Sequence, residues 1–244
     1  MRTMLLVALA LFSGIAAADQ VENQMELALL PAFCRGTQQI RAISHDPKPI
    51  EEYMAIYGKP YYHLHHYCWA LNTENKVAGM SDRFLRESKL GYALGDIQYS
   101  LDRSEPGFVF LPEMYNSQAR ILFKLHRDPE AVLSLNKAIE AKPDYIPAYL
   151  RLSDYFVDKG NKAEAIKILE QGIDYTEKAN ALIKRLAKLG KTYEGVPGNK
   201  RPKEESSEDV APSKLPAQME GGDGKTPAQS ADQATKGPYC RFCP

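Results

Sequence analysis

Apolar residues recur with the three-and-four spacing of amphipathic helices through the middle of the chain, most clearly over residues 82–101 and 112–125. Asp128-Pro129-Glu130 reads as a helix start, with proline in the first turn, where its missing amide hydrogen would have had no partner anyway. Lys142-Pro143-Asp144 and Lys159-Gly160-Asn161 interrupt the pattern between helices. Residues 179–189 place Leu182, Ile183, Leu186 and Leu189 on one face and Lys184, Arg185 and Lys188 on the other, as in a helix that caps an apolar surface. No stretch between residues 19 and 193 alternates with the period of two that a strand needs, so the predicted class is all-α.

The apolar positions also repeat over a longer distance. Tyr115 recurs as Tyr149, Leu122 as Phe156, Ala131 as Ala165, Leu135 as Leu169 and Ile139 as Ile173, each pair 34 residues apart. The first unit reads Tyr115-x2-Gln118-Ala119-x2-Leu122, then Ala131-x3-Leu135-x2-Ala138 and Pro143; the second reads Tyr149-x2-Leu152-Ser153-x2-Phe156, then Gly160 and Ala165-x3-Leu169-x2-Gly172. In period and small-residue positions, residues 112–179 resemble the tetratricopeptide repeat family. Tyr115 and Tyr149 stand where that family usually has tryptophan, Gln118 for leucine, His126 for the turn glycine and Glu177 for the closing proline.

The resemblance implies antiparallel helix pairs stacked as a short tetratricopeptide-like solenoid. Small side chains at Ala119, Ser153, Ala131 and Ala165 would let the paired helices approach. It also implies a protein or peptide partner held in a concave groove lined by the first helix of each pair. Here those positions are Asn116, Arg120 and Phe123 from one unit and Leu150, Asp154 and Val157 from the next. Arg120 is expected to be a charge contact and Phe123 an apolar anchor. The lysine and asparagine array with which some members of the family clamp a carboxylate tail is missing. Two repeats are too few for a continuous core, so residues 82–103 are expected to add a degenerate helix pair before them.

The ends of the chain change the picture of where such a scaffold works. Met1-Arg2-Thr3 supplies a positive charge, an apolar run follows to Ile15, and Ala16-Ala17-Ala18 offers the small residues of a cleavage site, so residues 1–18 read as an export signal. The run is too short to span a bilayer, and no transmembrane segment is expected after the signal is removed. Periplasmic or secreted localisation follows. Residues 19–77 form an N-terminal region containing cysteine and histidine, and residues 78–193 carry the repeats and the capping helix. Residues 194–237, rich in Pro, Gly, Ser, Lys and Glu with a single leucine, read as a disordered linker to a CxxC tail at 238–244. The chain has 244 residues, 44% of them hydrophobic, which excludes collagen-like, wholly disordered and polytopic membrane classes. Lys and Arg total 31 against 31 Asp and Glu, so no global field attracts nucleic acid.

Candidate chemistry rests on four cysteines and a histidine-rich phrase. An even cysteine count in an exported chain points to disulfides. Cys34 and Cys68, both in apolar surroundings, are the economical pair, and closing that loop would stabilise by roughly 3–4 kcal/mol. Cys240 and Cys243 form a local disulfide or a docking tail on this reading. A second reading stays open, in which His63 and His66, one helical turn apart, or Cys240 and Cys243, bind zinc or copper or handle thiols. Haem attachment fails because Pro244 follows Cys243, and Gly224-Lys225-Thr226 lacks the first glycine of a phosphate-binding loop. No HExxH, GxSxG or GxGxxG appears, so the expectation is a non-enzymatic adaptor for protein-protein interaction in the cell envelope, with no resident cofactor.

Overall fold

The computed structural model describes residues 19–200, and all the regular structure among them is helical. Short helices come first: α1 (Gln24–Ala28), a 3-10 turn at Ala32–Gly36, α2 (Ile40–Ser44), α3 (Ile50–Tyr57) and a second 3-10 turn at Lys59–His63. Seven longer helices follow: α4 (Leu64–Val77), α5 (Arg83–Asp102), α6 (Leu111–Lys124), α7 (Asp128–Ala141), α8 (Ile146–Asp158), α9 (Lys162–Tyr175) and α10 (Asn180–Lys188). They pack as the pairs α4/α5, α6/α7 and α8/α9, and α10 closes the stack against α8 and α9.

The small residues lie where the helices meet. Ala119, Ala131, Ala138, Ser153 and Ala165 are fully buried, and Leu135, Tyr149 and Leu169 fill the space beside them. Tyr149 goes deeper than its counterpart Tyr115, which stays partly exposed. A Cβ on Gly172 would stand 2.7 Å from the Tyr149 ring, which explains glycine there and alanine at the equivalent Ala138.

Both repeat hairpins turn the same way. His126 and Gly160 have φ of 57° and 73°, and the following amides of Arg127 and Asn161 reach back to the carbonyls of Leu122 and Phe156 at 2.9 and 2.8 Å. His126 therefore holds the left-handed conformation that suits glycine, and carries the steric cost of its Cβ.

The structure corrects two expectations. Residues 82–103 do not supply a helix pair: α5 is one continuous helix of 20 residues, and its partner is α4, from what was read as a separate N-terminal region. Alternation within one helix cannot reveal which distant helix it packs against. The expected linker from 194 also begins as ordered chain. Gly198 N–H donates to Ile173 O and Lys200 N–H to Asp174 O, both at 2.9 Å, and Lys200 Nζ pairs with Asp174 at 2.7 Å. The export signal, the rest of the linker and the CxxC tail with Cys240 and Cys243 lie outside the described residues. No helix among the described residues is long and apolar enough to cross a membrane.

The two repeat positions make opposite predictions. Replacing His126 with glycine is expected to raise stability by about 1 kcal/mol, because the left-handed residue loses its strained Cβ. Gly172→Ala is expected to lower it by about 1–3 kcal/mol through overpacking on Tyr149. Urea unfolding of both variants checks the pair, and an unchanged midpoint for Gly172→Ala would contradict the packing described.

Candidate functional site

Helix α4 is buried at every position except Asn75 and Lys76. It therefore brings polar side chains into the interior, and each meets a partner there. Asn72 Nδ2 donates to Gln20 O at 3.0 Å and to a Glu26 carboxylate oxygen at 2.9 Å. Thr73 Oγ1 accepts from Asp19 N–H at 3.0 Å, and Lys89 pairs with the Asp19 carboxylate at 2.8 Å. Cys68 is joined to Cys34 by a disulfide with Cα atoms 5.8 Å apart, and Tyr61 Oη donates to Phe33 O at 2.6 Å. The N-terminal segment is thus strapped along α4.

Glu74 faces the other way, toward α6. Its carboxylate, 7% exposed, takes two bonds of 2.6 Å from Arg120 and one of 2.5 Å from Lys124. Burial pushes the Glu74 carboxyl up, but the bonds and charge of Arg120 and Lys124 outweigh it and hold the group below its ordinary range. Beside this cluster α4, α6 and the start of α8 enclose a cleft of about 400 Å³. Its polar wall is Glu74, Glu113, Asn116, Ser117, Arg120, Lys124 and Tyr145; Leu29, Leu30, Pro31 and Leu71 form the apolar wall. At the rim Arg151 Nε donates to Asn116 Oδ1 at 3.1 Å. Burial lowers the proton affinity of Arg151, and the nearby Arg120 adds to the effect. Burial raises that of Glu113, against the pull of Arg120.

Of the six groove residues expected from the sequence, the cleft brings together Asn116 and Arg120. Arg120 is not a free charge contact, because Glu74 occupies its guanidinium fork. Phe123 stacks on Tyr155, with centroids 5.3 Å apart, and is no open anchor. Asp154 is paired with Arg185 of the capping helix, Leu150 packs against a second, smaller core formed by Tyr149, Leu169, Ile173, Leu182 and Leu186, and Val157 is exposed away from the cleft. Sequence reasoning missed Glu74, Lys124, Tyr145 and Arg151. Arg120 and Lys124, four residues apart on one helical face, were a signal that a carboxylate was needed, but Glu74 lies 46 residues from Arg120.

The histidines are brought together around α5. His66 Nδ1 lies 2.7 Å from Asp96 Oδ1, His63 Nδ1 lies 3.3 Å from Tyr99 Oη and His65 Nδ1 lies 3.2 Å from Tyr62 O. Burial pushes His63 and His66 down to about 4, with Arg103 adding to both, and His65 down to about 3, with His66 adding. Burial also raises Asp96 to about 7. His66 and Asp96 thus form one buried hydrogen-bonded pair in which burial disfavours charge on both partners. Among the described residues no three His, Cys, Asp or Glu stand where one metal ion would join them. Cys34 and Cys68 are bonded to each other, which removes their sulfurs as thiolate ligands.

Paired helices, a capping helix and a cleft lined by α4, α6 and the residue before α8 define a helical-repeat scaffold. Residues 146–178, comprising α8, α9 and the turn after them, match the family model described as tetratricopeptide repeat. No curated protein and no solved structure matches the chain.

Acid should weaken this fold. In the unfolded chain the three histidines take up protons near 6.5, whereas in the folded chain they do so only near 4 or below. Between those values the unfolded state binds more protons, so stability falls as pH falls. Asp96, which holds its proton up to about 7 when folded, works in the opposite sense and offsets about one histidine. With partly exposed His63 discounted, the net slope is roughly 1–3 kcal/mol per pH unit between about 6.5 and 4. Urea midpoints that hold constant from pH 7 to 5 would contradict the neutral buried rings.

Proposed function

We propose that this chain is an exported adaptor that binds an extended segment of a protein partner in the cleft between α4, α6 and the start of α8. The observation that carries the reading is the cleft itself, which is built on the first helices of successive pairs in a chain containing a tetratricopeptide repeat. One wall is apolar and the other is polar, with Asn116 and the Glu74-paired Lys124 on it and Arg151 hydrogen-bonded to Asn116 beside it, the mixture a peptide site uses. Repeats of this kind are interaction modules, and the reading includes no reaction chemistry and no resident metal or cofactor. Two features support export into the periplasm or beyond. Residues 1–18 have the pattern of a signal, and the Cys34–Cys68 disulfide suits an oxidising compartment.

A random peptide library panned against the full chain tests the binding reading. Enriched peptides are expected to lose at least about tenfold in affinity in Arg151→Glu and Lys124→Ala variants whose thermal midpoints match the parent, about 1.4 kcal/mol. Libraries that never enrich, or peptides indifferent to both substitutions, would overturn it.

A further inference from the structure

Of the two acids lining the cleft, one has its hydrogen-bond donors and the other does not. Glu74 takes its bonds from Arg120 and Lys124, while Tyr67 Oη and Ser117 Oγ lie 2.9 Å apart and Asn116 Oδ1 accepts from Arg151. Glu113 is half-buried, and among the described residues no group donates to its carboxylate. The cation that acts on it, Arg120, sits seven residues along α6, a rise of about 10 Å, with its fork on Glu74. Burial pushes the Glu113 carboxyl up in spite of that cation.

Any segment that fills the cleft takes water away from Glu113. An acidic or wholly apolar side chain placed there would leave the carboxylate without a donor in a drier site, which costs more than leaving it wet. The surroundings select the group that completes it. Tyr67 Oη donates to the Glu113 carbonyl at 3.4 Å, and Tyr145 is close enough for its hydroxyl and the carboxylate to act on each other. Leu30, Pro31 and Leu71 supply the apolar wall of the same cleft. A lysine or arginine side chain matches both features, since its alkyl stem covers apolar surface while its charged head donates to a carboxylate. Lys124 and Arg151 each give one donor to a side chain, Glu74 and Asn116, which leaves others for carbonyl groups of the same segment.

We propose that the segment bound in this cleft carries a lysine or arginine whose charged head pairs with Glu113, and that this pair fixes the register of the segment along α6. The inference rests on the reading of the cleft as a peptide site, and adds which residue the partner must present. One half-buried pair contributes about five- to tenfold in affinity, so it selects among segments that the apolar wall already holds.

The test uses the full chain and the peptides enriched from the random library. These are expected to share a lysine or arginine, and its replacement by norleucine or citrulline, similar in length and uncharged, is expected to lower affinity about five- to tenfold. Glu113→Gln, nearly isosteric and uncharged, is expected to lower the affinity of the basic peptide by the same factor and to leave that of the neutral peptide unchanged, so that the two losses do not add. An acid that serves only the first turn of α6 would instead lower the thermal midpoint and leave peptide affinity unchanged, which overturns the proposal. On the unsubstituted chain, a zero-length carbodiimide is expected to join a lysine at the shared peptide position to Glu113; a link only to other acids also overturns it. If enriched peptides lose affinity in Lys124→Ala and Arg151→Glu but share no basic residue, or ignore Glu113→Gln, only the inference fails. If no library peptide enriches, the reading of the cleft as a peptide site fails and takes the inference with it.

Discussion

Satisfying the polar side chains buried on α4 is the constraint on which the rest of the structure depends. A helix that is buried on nearly every side cannot leave an amide, a hydroxyl or a carboxylate without a partner, because each such group costs on the order of 1–3 kcal/mol. The partners come from every direction. Asn72 and Thr73 reach the N-terminal segment, His66 reaches α5, and Tyr67 and Glu74 reach α6. Together with the Cys34–Cys68 bond these contacts make α4 the piece against which the strap, the first helix pair and the repeats are placed. The apolar core supplies the larger driving force, but the polar contacts select which element lies on which side of α4.

The same constraint shapes the cleft. Glu74 is nearly buried, and burial would favour its neutral form were Arg120 and Lys124 not in contact with it. Two cations on one helical face thereby become part of the fold and orient the wall of the cleft. Such a cluster gives little net stability, since desolvation consumes most of the attraction. What it provides is direction: Arg120 is held in a fixed pose by a bidentate bond, and the neighbouring Arg151 is left with a neutral acceptor. Charge on this face is thus balanced in the cleft lining, Glu74 and Glu113 against Arg120 and Lys124, while Arg151 beside it donates to a neutral amide.

The repeat units were largely legible in the sequence. Residues 112–125, the start at Asp128, the breaks at 142–144 and 159–161 and the capping segment match α6 to α10 closely, because these helices follow from local periodicity and local stop signals. His126 shows how far register could be read. It was recognised as standing in a glycine position, and its left-handed φ shows that the backbone keeps the turn in spite of the substitution. The cleft was far less legible. Asn116 and Arg120 were placed on it, while Phe123, Leu150, Asp154 and Val157 are turned to Tyr155, the second core, Arg185 and solvent.

By itself, the sequence determined the helices from α6 to α10, their 34-residue recurrence and the small residues at their contacts, since each of these depends on neighbours within a few turns or on simple spacing. Tertiary structure alone decided that α4 pairs with α5, that Glu74 takes Arg120 and Lys124, and that three histidines lose their ordinary basicity. Those outcomes join residues tens of positions apart and depend on how much water the packed helices exclude. Periodicity along the chain carries no record of either.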